Sequence, residues 1–175
     1  EDLAFGAPFA SPFDIEALAE RTVAVSSISK SHAAPGFRSG WAAGPAEFCR
    51  RLLPVAETML FGNPPFIADA TEYALRNDLG TAALMREHYA ARAGLIASRL
   101  NGIGGLRTIQ PEAGMFVLVD VQATGLDGHA FAARLLDEQH VAVMPGTSFG
   151  HAARNFIRLS LTVPENALAE ACERI

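Results

Sequence analysis

The spacing of apolar and polar positions changes along the chain, and each spacing predicts a different element. Residues 22–25 are a short apolar, β-branched run typical of a buried strand, and residues 39–44 have the length of a second strand. Gly44 and Pro45 then open a helix with proline in its first turn, and the Gly/Pro-rich stretch 62–65 ends it. The beginning of the chain is therefore predicted to combine short strands with helices.

A long helical pattern follows. No proline occurs between Phe66 and Leu100, and apolar residues recur there at helical spacing. These apolar positions are Leu75, Leu79, Ala82, Met85, Tyr89, Ile96 and Leu100. We expect one long helix, bent at Gly80 and ended by the glycine-rich residues 101–105. Such a helix would connect two parts of different character.

The remaining residues have the pattern of a compact α/β module. The predicted order is a strand at 106–110, a strand at 115–121, a helix at 128–139, strands at 141–144 and 156–161, and a helix from Pro164. The sequence therefore predicts three parts, namely residues 1–65, a connecting helix over 66–101, and a module over 102–175.

Composition places the chain among globular proteins and excludes several function classes. Of its 175 residues, 50% are hydrophobic and 19% charged, which is enough apolar material for a sizeable core. The net charge of −5 is spread along the chain without a basic stripe, so nucleic acid is not an expected partner. The apolar runs are far shorter than the roughly 20 residues that cross a bilayer, so no membrane span is predicted.

The metal-ligating residue types show no ligand spacing. Cys49 and Cys172 are far apart and form no CxxC or Cys/His pattern, and none of the five histidines has metal spacing. No metal site is predicted, and we expect two buried free thiols.

A lysine and an arginine flank a turn of small residues. Lys30 follows the predicted strand at 22–25, and Arg38 lies eight residues later. A lysine whose pKa is lowered by desolvation or a cationic neighbour can form an imine with an aldehyde. The planar fork of Arg38 suits a phosphate group, and the hydroxyls of Ser27 and Ser29 can add hydrogen bonds from the same turn. The alternative is that Lys30 is a solvated loop residue and Arg38 a surface charge.

These residues resemble the signature of class I and II aminotransferases, a fold-type I family that depends on pyridoxal 5'-phosphate. The signature is Ser-x-Ser-Lys-x(5)-Gly-x-Arg-x-Gly, and the matching positions are Ser27, Ser29, Lys30, Gly36, Arg38 and Gly40. Ser39 departs from the family, which usually has an aliphatic residue after the arginine. The resemblance continues, in the family's order, through residues 111–116, 143–150 and 155–160.

The resemblance implies a role for each candidate residue. Lys30 would carry the cofactor and move the proton at the substrate α-carbon, Ser27 and Arg38 would hold the cofactor phosphate together with Ser29, and Arg158 would pair with the substrate α-carboxylate. From the residues alone, Arg158 in its apolar strand could equally form a structural salt bridge or reach solvent.

The implied fold is α/β, comprising the C-terminal part of the large domain (1–65), the long connecting helix (66–101) and an α+β small domain (102–175). The implied substrates are an amino acid and a 2-oxo acid, and the family's usual form is a cytoplasmic homodimer. The other residues around the cofactor belong to the family's first half. The chain therefore resembles a C-terminal half that starts in mid-protein, and we expect it to have little or no activity alone.

Two other functions stay open at this stage. A lyase or decarboxylase of the same fold would release ammonia, carbon dioxide or a cleaved side chain instead of transferring an amine. An aminotransferase-like domain can also act without catalysis as an effector-binding module, fused to a DNA-binding segment.

Overall fold

The computed structural model of the chain describes residues 2–6 and 8–175. Its helices are α1 (Ile28–Ser31), α2 (Ala46–Leu60), α3 (Pro65–Arg76), α4 (Thr81–Leu100), α5 (Gly128–Gln139) and α6 (Glu165–Arg174). Its strands are β1 (Ala24–Ser27), β2 (Gly40–Ala43), β3 (Arg107–Ile109), β4 (Phe116–Asp120), β5 (Met144–Pro145) and β6 (Phe156–Ser160). Two compact units result, one formed mainly by residues 8–84 and the other by residues 85–175 together with 3–6.

The first unit contains a two-stranded antiparallel sheet and two helices. Strands β1 and β2 pair with Ala24 opposite Ala43 and Ser27 opposite Gly40. Helix α2 begins directly after Pro45, as the sequence predicts, and ends at Phe61 in a left-handed conformation. The predicted strand at 39–44 and the helix that follows it are both confirmed.

The prediction of one continuous helix over 66–100 is wrong. The segment forms α3 and α4, separated by residues 77–80. The Asn77 side chain donates to the Tyr73 carbonyl (2.7 Å), the Asp78 carboxylate accepts from the Gly80 amide (2.8 Å), and Gly80 has a φ of +70°. These local side-chain hydrogen bonds replace helical ones, so the break is complete where only a bend was expected. Along the chain, the boundary between the two units falls within α4, between Leu84 and Met85.

The second unit is a four-stranded antiparallel sheet in the order β3-β4-β6-β5, with helices packed on it. Residues alternate along its two central strands, and one face is buried: Val117, Val119, Ile157 and Leu159 are each at most 4% exposed. That face packs against Ile96 and Leu100 of α4 and against Leu168 of α6. The arrangement is the α+β module predicted for this part of the chain, and α5 has the predicted bounds.

The opposite face of this sheet carries the side chains of the alternate positions. On β6 these positions are Phe156, Arg158 and Ser160, all partly exposed. On β4 they are Phe116, Leu118 and Asp120. Arg158 therefore lies on the face turned away from the core, since alternate residues of a strand point to opposite sides.

The two cysteines differ in environment. Cys172 is buried, and burial raises the pKa of its thiol. Cys49 is exposed, so the prediction of two buried thiols is wrong for Cys49. Over the described part of the chain, no helix is both long and apolar enough to cross a membrane.

Asp120 gives this sheet a pH-dependent contribution to stability. Its carboxylate accepts from the Gln122 amide (2.9 Å) and from Arg107 (2.8 Å), and these bonds, the backbone one first, hold its pKa below 3.8. A carboxyl whose pKa is lower in the folded state stabilises the fold above its unfolded pKa. That contribution is lost as the pH falls through the folded pKa.

We therefore expect Asp120→Asn to lower the free energy of unfolding by about 1 kcal/mol at pH 7, since it removes a charged hydrogen-bond acceptor at a partly exposed site. The difference from the native sequence should shrink as the pH falls below 3.8. Urea unfolding at pH 7 and at lower pH measures it, with Asp137→Asn on the exposed surface of α5 as the control. A difference that does not change with pH would contradict the assignment.

Candidate active site

The lysine and the arginine of the signature belong to one loop whose two ends are held together. Ser27 ends β1, α1 carries Lys30, and Arg38 precedes β2. Because Ser27 pairs with Gly40, the loop of residues 28–39 leaves and re-enters the sheet at the same point. The structure thus brings Ser27, Ser29, Lys30 and Arg38 into a single loop.

Gly40 allows the two strands to approach closely at the base of the loop. A Cβ atom at this position would lie 2.6 Å from the Ser26 carbonyl oxygen, closer than a real carbon atom comes. A side chain there would force the strands apart, which explains the glycine at the end of the signature. Gly36, by contrast, has open space around it and no unusual backbone angle, so this chain shows no packing reason for it.

The interior of the loop is organised around Ile28, which is 2% exposed. Its carbonyl accepts hydrogen bonds from the amides of His32 and Ala34, both at 3.2 Å. Helix α1 also packs against the short turn Pro35–Phe37. The loop is therefore folded upon itself and holds Lys30 in a defined helical turn.

Lys30 is exposed, and within the described part of the chain its amine makes no hydrogen bond or ion pair. It is also the only lysine among the 175 residues. An amine without a carboxylate partner is free to react, which the predicted role requires.

The hydroxyls of Ser27 and Ser29 are available as well. Ser27 caps α1 in extended conformation without using its side chain, and neither hydroxyl has a hydrogen-bond partner among the described residues. Ser31, which the signature does not include, is occupied: its hydroxyl lies 3.1 Å from the Ser27 carbonyl and 2.8 Å from Nδ1 of His32. Among the serines of this loop, the hydroxyls without a partner are thus those of Ser27 and Ser29, the two predicted to bind phosphate.

Arg38 has an unusual backbone conformation, with a φ of 53° and a ψ of 39°. A residue other than glycine in this left-handed region is strained, and such strain concentrates at functional sites. One guanidinium nitrogen donates to the Pro35 carbonyl at 2.7 Å, while the other donors have no protein partner in the described residues. Arg38 also lines a cleft of about 600 Å³ with Trp41 and with Leu53 of α2, whereas Lys30 does not line it.

His32 ties the loop to α3, a contact that was not predicted from the sequence, where this residue was considered only as a metal ligand. Its Nε2 lies 3.0 Å from the Ala74 carbonyl, and its Nδ1 contacts Ser31. Since a carbonyl only accepts, Nε2 carries a proton. The one feature of the sequence that could have drawn attention to His32 is its position two residues after Lys30.

Ser39, the position that departs from the family pattern, is 3% exposed, and its hydroxyl accepts hydrogen bonds from two polar side chains. Its hydroxyl lies 2.7 Å from that of Thr71 and 3.3 Å from Nδ2 of Asn63, and the Thr71 hydroxyl lies 2.7 Å from the Ile67 carbonyl. The Asn63 amide nitrogen donates to the Ser39 hydroxyl, and the single proton of the Thr71 hydroxyl can be donated either to the Ser39 oxygen or to the Ile67 carbonyl. A polar residue is tolerated in this buried position because its partners are polar too.

Arg158 lies in the second unit, on β6 between Leu118 of β4 and Met144 of β5. Its guanidinium carbon is 4.0 Å from the ring centre of Phe116 and 4.6 Å from that of Phe149. Within the described residues it forms no hydrogen bond or ion pair, so the structural salt bridge considered from the sequence is absent there. Phe116 and Phe149 lie in the segments 111–116 and 143–150 that resemble the family, but neither was given a role from the sequence.

No group of three or more His, Cys, Asp or Glu side chains suited to a metal ion occurs in the part of the chain that the structure describes. The donors of the loop are an amine, two hydroxyls and a guanidinium. This set suits a phosphorylated aldehyde.

Comparison with known proteins gives one consistent family. The profile of the family described as aminotransferase class I and II matches residues 1–175. The arginine–pyruvate transaminase of Pseudomonas aeruginosa is 44% identical over 174 residues, covering 99% of this chain and 44% of the relative. The aspartate aminotransferase of Pyrococcus abyssi is 31% identical, covering 92% and 42% of the two chains.

A solved structure shows the same fold. The aromatic aminotransferase of Pyrococcus horikoshii superposes with a TM-score of 0.92 at 30% identity, covering 98% of this chain and 46% of the other. The chain therefore spans less than half the length of the relatives that it matches.

The left-handed residues of the loop allow a test of its conformation. Ala33 has a φ of 50°, whereas its neighbour Ala34 has a φ of −115°. Glycine removes the cost of the left-handed conformation at Ala33, about 1–2 kcal/mol, and adds about 0.5–1 kcal/mol of backbone entropy at either position.

We therefore expect Ala33→Gly to leave the free energy of unfolding unchanged or to raise it, and Ala34→Gly to lower it. The two variants should differ by about 1 kcal/mol in urea unfolding. Equal destabilisation by both would show that Ala33 is not left-handed in the loop.

Proposed function

Because this chain belongs to the class I and II aminotransferases, we propose that the protein that carries it moves an amino group between an amino acid and a 2-oxo acid. The observation that supports this most directly is the unpaired amine of Lys30, held in the same closed loop as Arg38 and two free hydroxyls. We further propose that the first unit is the C-terminal part of the family's large domain and the second its small domain.

The residues of the loop fit pyridoxal 5'-phosphate. Arg38 offers a positive charge and open N–H donors, and Ser27 and Ser29 offer hydroxyls, which together suit a phosphate dianion. Lys30 offers the amine to which an aldehyde attaches. When bound, the cofactor supplies an electron-poor ring that accepts the electron pair released at the substrate α-carbon.

Lys30 has two tasks in this proposal. Its amine would hold the cofactor through the aldehyde, and it would also accept the proton from the substrate α-carbon and return it. Both tasks require the amine in its deprotonated form.

Arg38 and the two serines fix the position of the cofactor relative to Lys30. A phosphate held at one end of the loop leaves the reactive end of the molecule only a restricted range of positions. The strained backbone of Arg38 supports this role, since its conformation is maintained by the pairing of Ser27 with Gly40 and by the Pro35 hydrogen bond.

Arg158 would bind the α-carboxylate that all amino acid and 2-oxo acid substrates share. Its guanidinium has no carboxylate partner among the described residues, so its hydrogen-bond donors are available to a substrate. A planar guanidinium binds a carboxylate through two parallel hydrogen bonds, which fixes orientation as well as position.

We also propose that the complete protein is a cytoplasmic homodimer, as the family resemblance implies. Exposed apolar residues on α2 support association with further protein surface, since Met59 and Leu60 are 72% and 70% exposed. Arginine with pyruvate is the first substrate pair to test, because a relative named for that pair is 44% identical over the chain.

The test is to incubate the full-length protein with pyridoxal phosphate and reduce it with borohydride. We expect absorbance between 300 and 500 nm that reduction abolishes, and a stable mass adduct on the peptide containing Lys30. Because Lys30 is the only lysine of these 175 residues, a side-chain adduct within them identifies it. Lys30→Ala and the charge-preserving Lys30→Arg should both lose the adduct and lower the rate by several orders of magnitude.

Product analysis with arginine and pyruvate, then with a panel of amino acids, separates the reaction types. A transferred amine with an equivalent of 2-oxo acid supports an aminotransferase, whereas ammonia or carbon dioxide would indicate a lyase or decarboxylase. Absence of any adduct at Lys30 would refute the enzyme proposal and leave the fold unaffected.

A further inference from the structure

Arg158 contacts two aromatic rings. Phe116 lies 4.0 Å and Phe149 lies 4.6 Å from its guanidinium carbon, both within the range of cation–π contact. The arginine is partly buried, and its guanidinium forms no hydrogen bond or ion pair in the described part of the chain. Its position is therefore set by the rings and not by a charged partner.

The two rings come from different elements that meet at β6. Phe116 belongs to β4, where it pairs with Ser160, so it is the diagonal neighbour of Arg158 across the strands. Phe149 ends the short turn Gly146–Phe149, which follows β5, the strand paired with β6 on its other side.

The turn that carries Phe149 is itself closely packed. A Cβ atom at Gly146 would lie 2.0 Å from the Ala153 carbonyl oxygen, so this backbone lies directly against the segment before β6. The turn that carries Phe149 is thus closely packed at its start, although Phe149 itself is 54% exposed.

Aromatic rings stacked on a guanidinium determine the direction from which an anion can reach it. A guanidinium is weakly hydrated on its faces and strongly hydrogen bonding along its edge, so aromatic rings cover the faces at little cost. The N–H edge is then left for a planar anion in the same plane, which is the geometry of a two-bond carboxylate contact. An arginine held in this way also loses less side-chain freedom when the anion binds.

We propose that Phe116 and Phe149 are positioning residues that hold Arg158 with its N–H edge presented to the substrate α-carboxylate. This inference rests on the proposed role of Arg158 and adds a determinant of affinity common to all substrates. The rings act on the carboxylate through Arg158, so their effect does not depend on the amino acid side chain.

The test uses the full-length protein and the half-reaction with an amino acid, followed through the cofactor absorbance. Phe116→Leu and Phe149→Leu should each raise the half-saturating amino acid concentration about three- to tenfold, with the limiting rate changed less than about twofold. The same factor is expected for arginine and for alanine, which share only the α-amino acid group.

Two further variants serve as controls. Phe149→Tyr keeps a ring over the guanidinium and should restore the native value, because the added hydroxyl can reach solvent. Leu136→Ala removes an apolar side chain of similar exposure (50% against 54%) on α5 and should change neither parameter. Phe149 is not a core residue, so Phe149→Leu creates no cavity in the core and the variant should still fold.

Arg158→Gln separates the failure of this inference from that of the proposed function. If Arg158→Gln leaves half-saturation unchanged, the carboxylate role of Arg158 fails and the positioning role fails with it. If Arg158→Gln weakens binding strongly while both leucine variants behave as the native protein, only the positioning role is overturned. A factor that differs between arginine and alanine, or an effect confined to the limiting rate, would also overturn it.

Discussion

The backbones of β1 and β2 approach each other closely at Gly40, where no side chain can be accommodated. This approach sets the register that places Ser27 opposite Gly40, and the register closes the loop between them. The closure keeps Lys30 and Arg38 in one folded loop, where we propose that a phosphorylated ligand is held. In that proposal the glycine matters to the site although it has no functional group.

The two candidate cations are kept free by different means. Arg38 is held by its own backbone conformation and by one carbonyl, which leaves most of its donors open. Arg158 is held by aromatic faces, which restrain it without occupying its hydrogen-bond donors. Among the residues that the structure describes, neither cation is paired with a carboxylate, which would compete with an anionic ligand.

Much of the fold could be predicted from the sequence, because alternation and helical spacing report directly on burial. Strands β4 and β6 and helices α5 and α6 follow their patterns, since each has a buried face, whereas the strand predicted at 141–144 is only the two residues Met144–Pro145. The break at 77–80 could not be predicted in this way. Leu75 and Leu79 fit the helical spacing but are 51% and 53% exposed, and side-chain hydrogen bonds at Asn77 and Asp78 end the helix instead.

Some parts of the candidate site could be predicted from the sequence and others could not, for physical reasons. The lysine loop is contiguous in sequence, so its chemical groups could be recognised together. The contacts of Arg158 join three elements, and those of Ser39 join two loops and a helix, so both depend on register and packing that a linear pattern does not contain. His32 falls between these cases, because it is close to the lysine in sequence while its partner is the distant Ala74 carbonyl.

The single lysine also has a consequence for proteolysis. A protease specific for lysine can cut these 175 residues at one peptide bond only, the one after Lys30. A ligand attached to that side chain masks the residue that the protease recognises. Within this part of the protein, the resistance of that peptide bond to the protease therefore measures the fraction of Lys30 amines that carry a ligand.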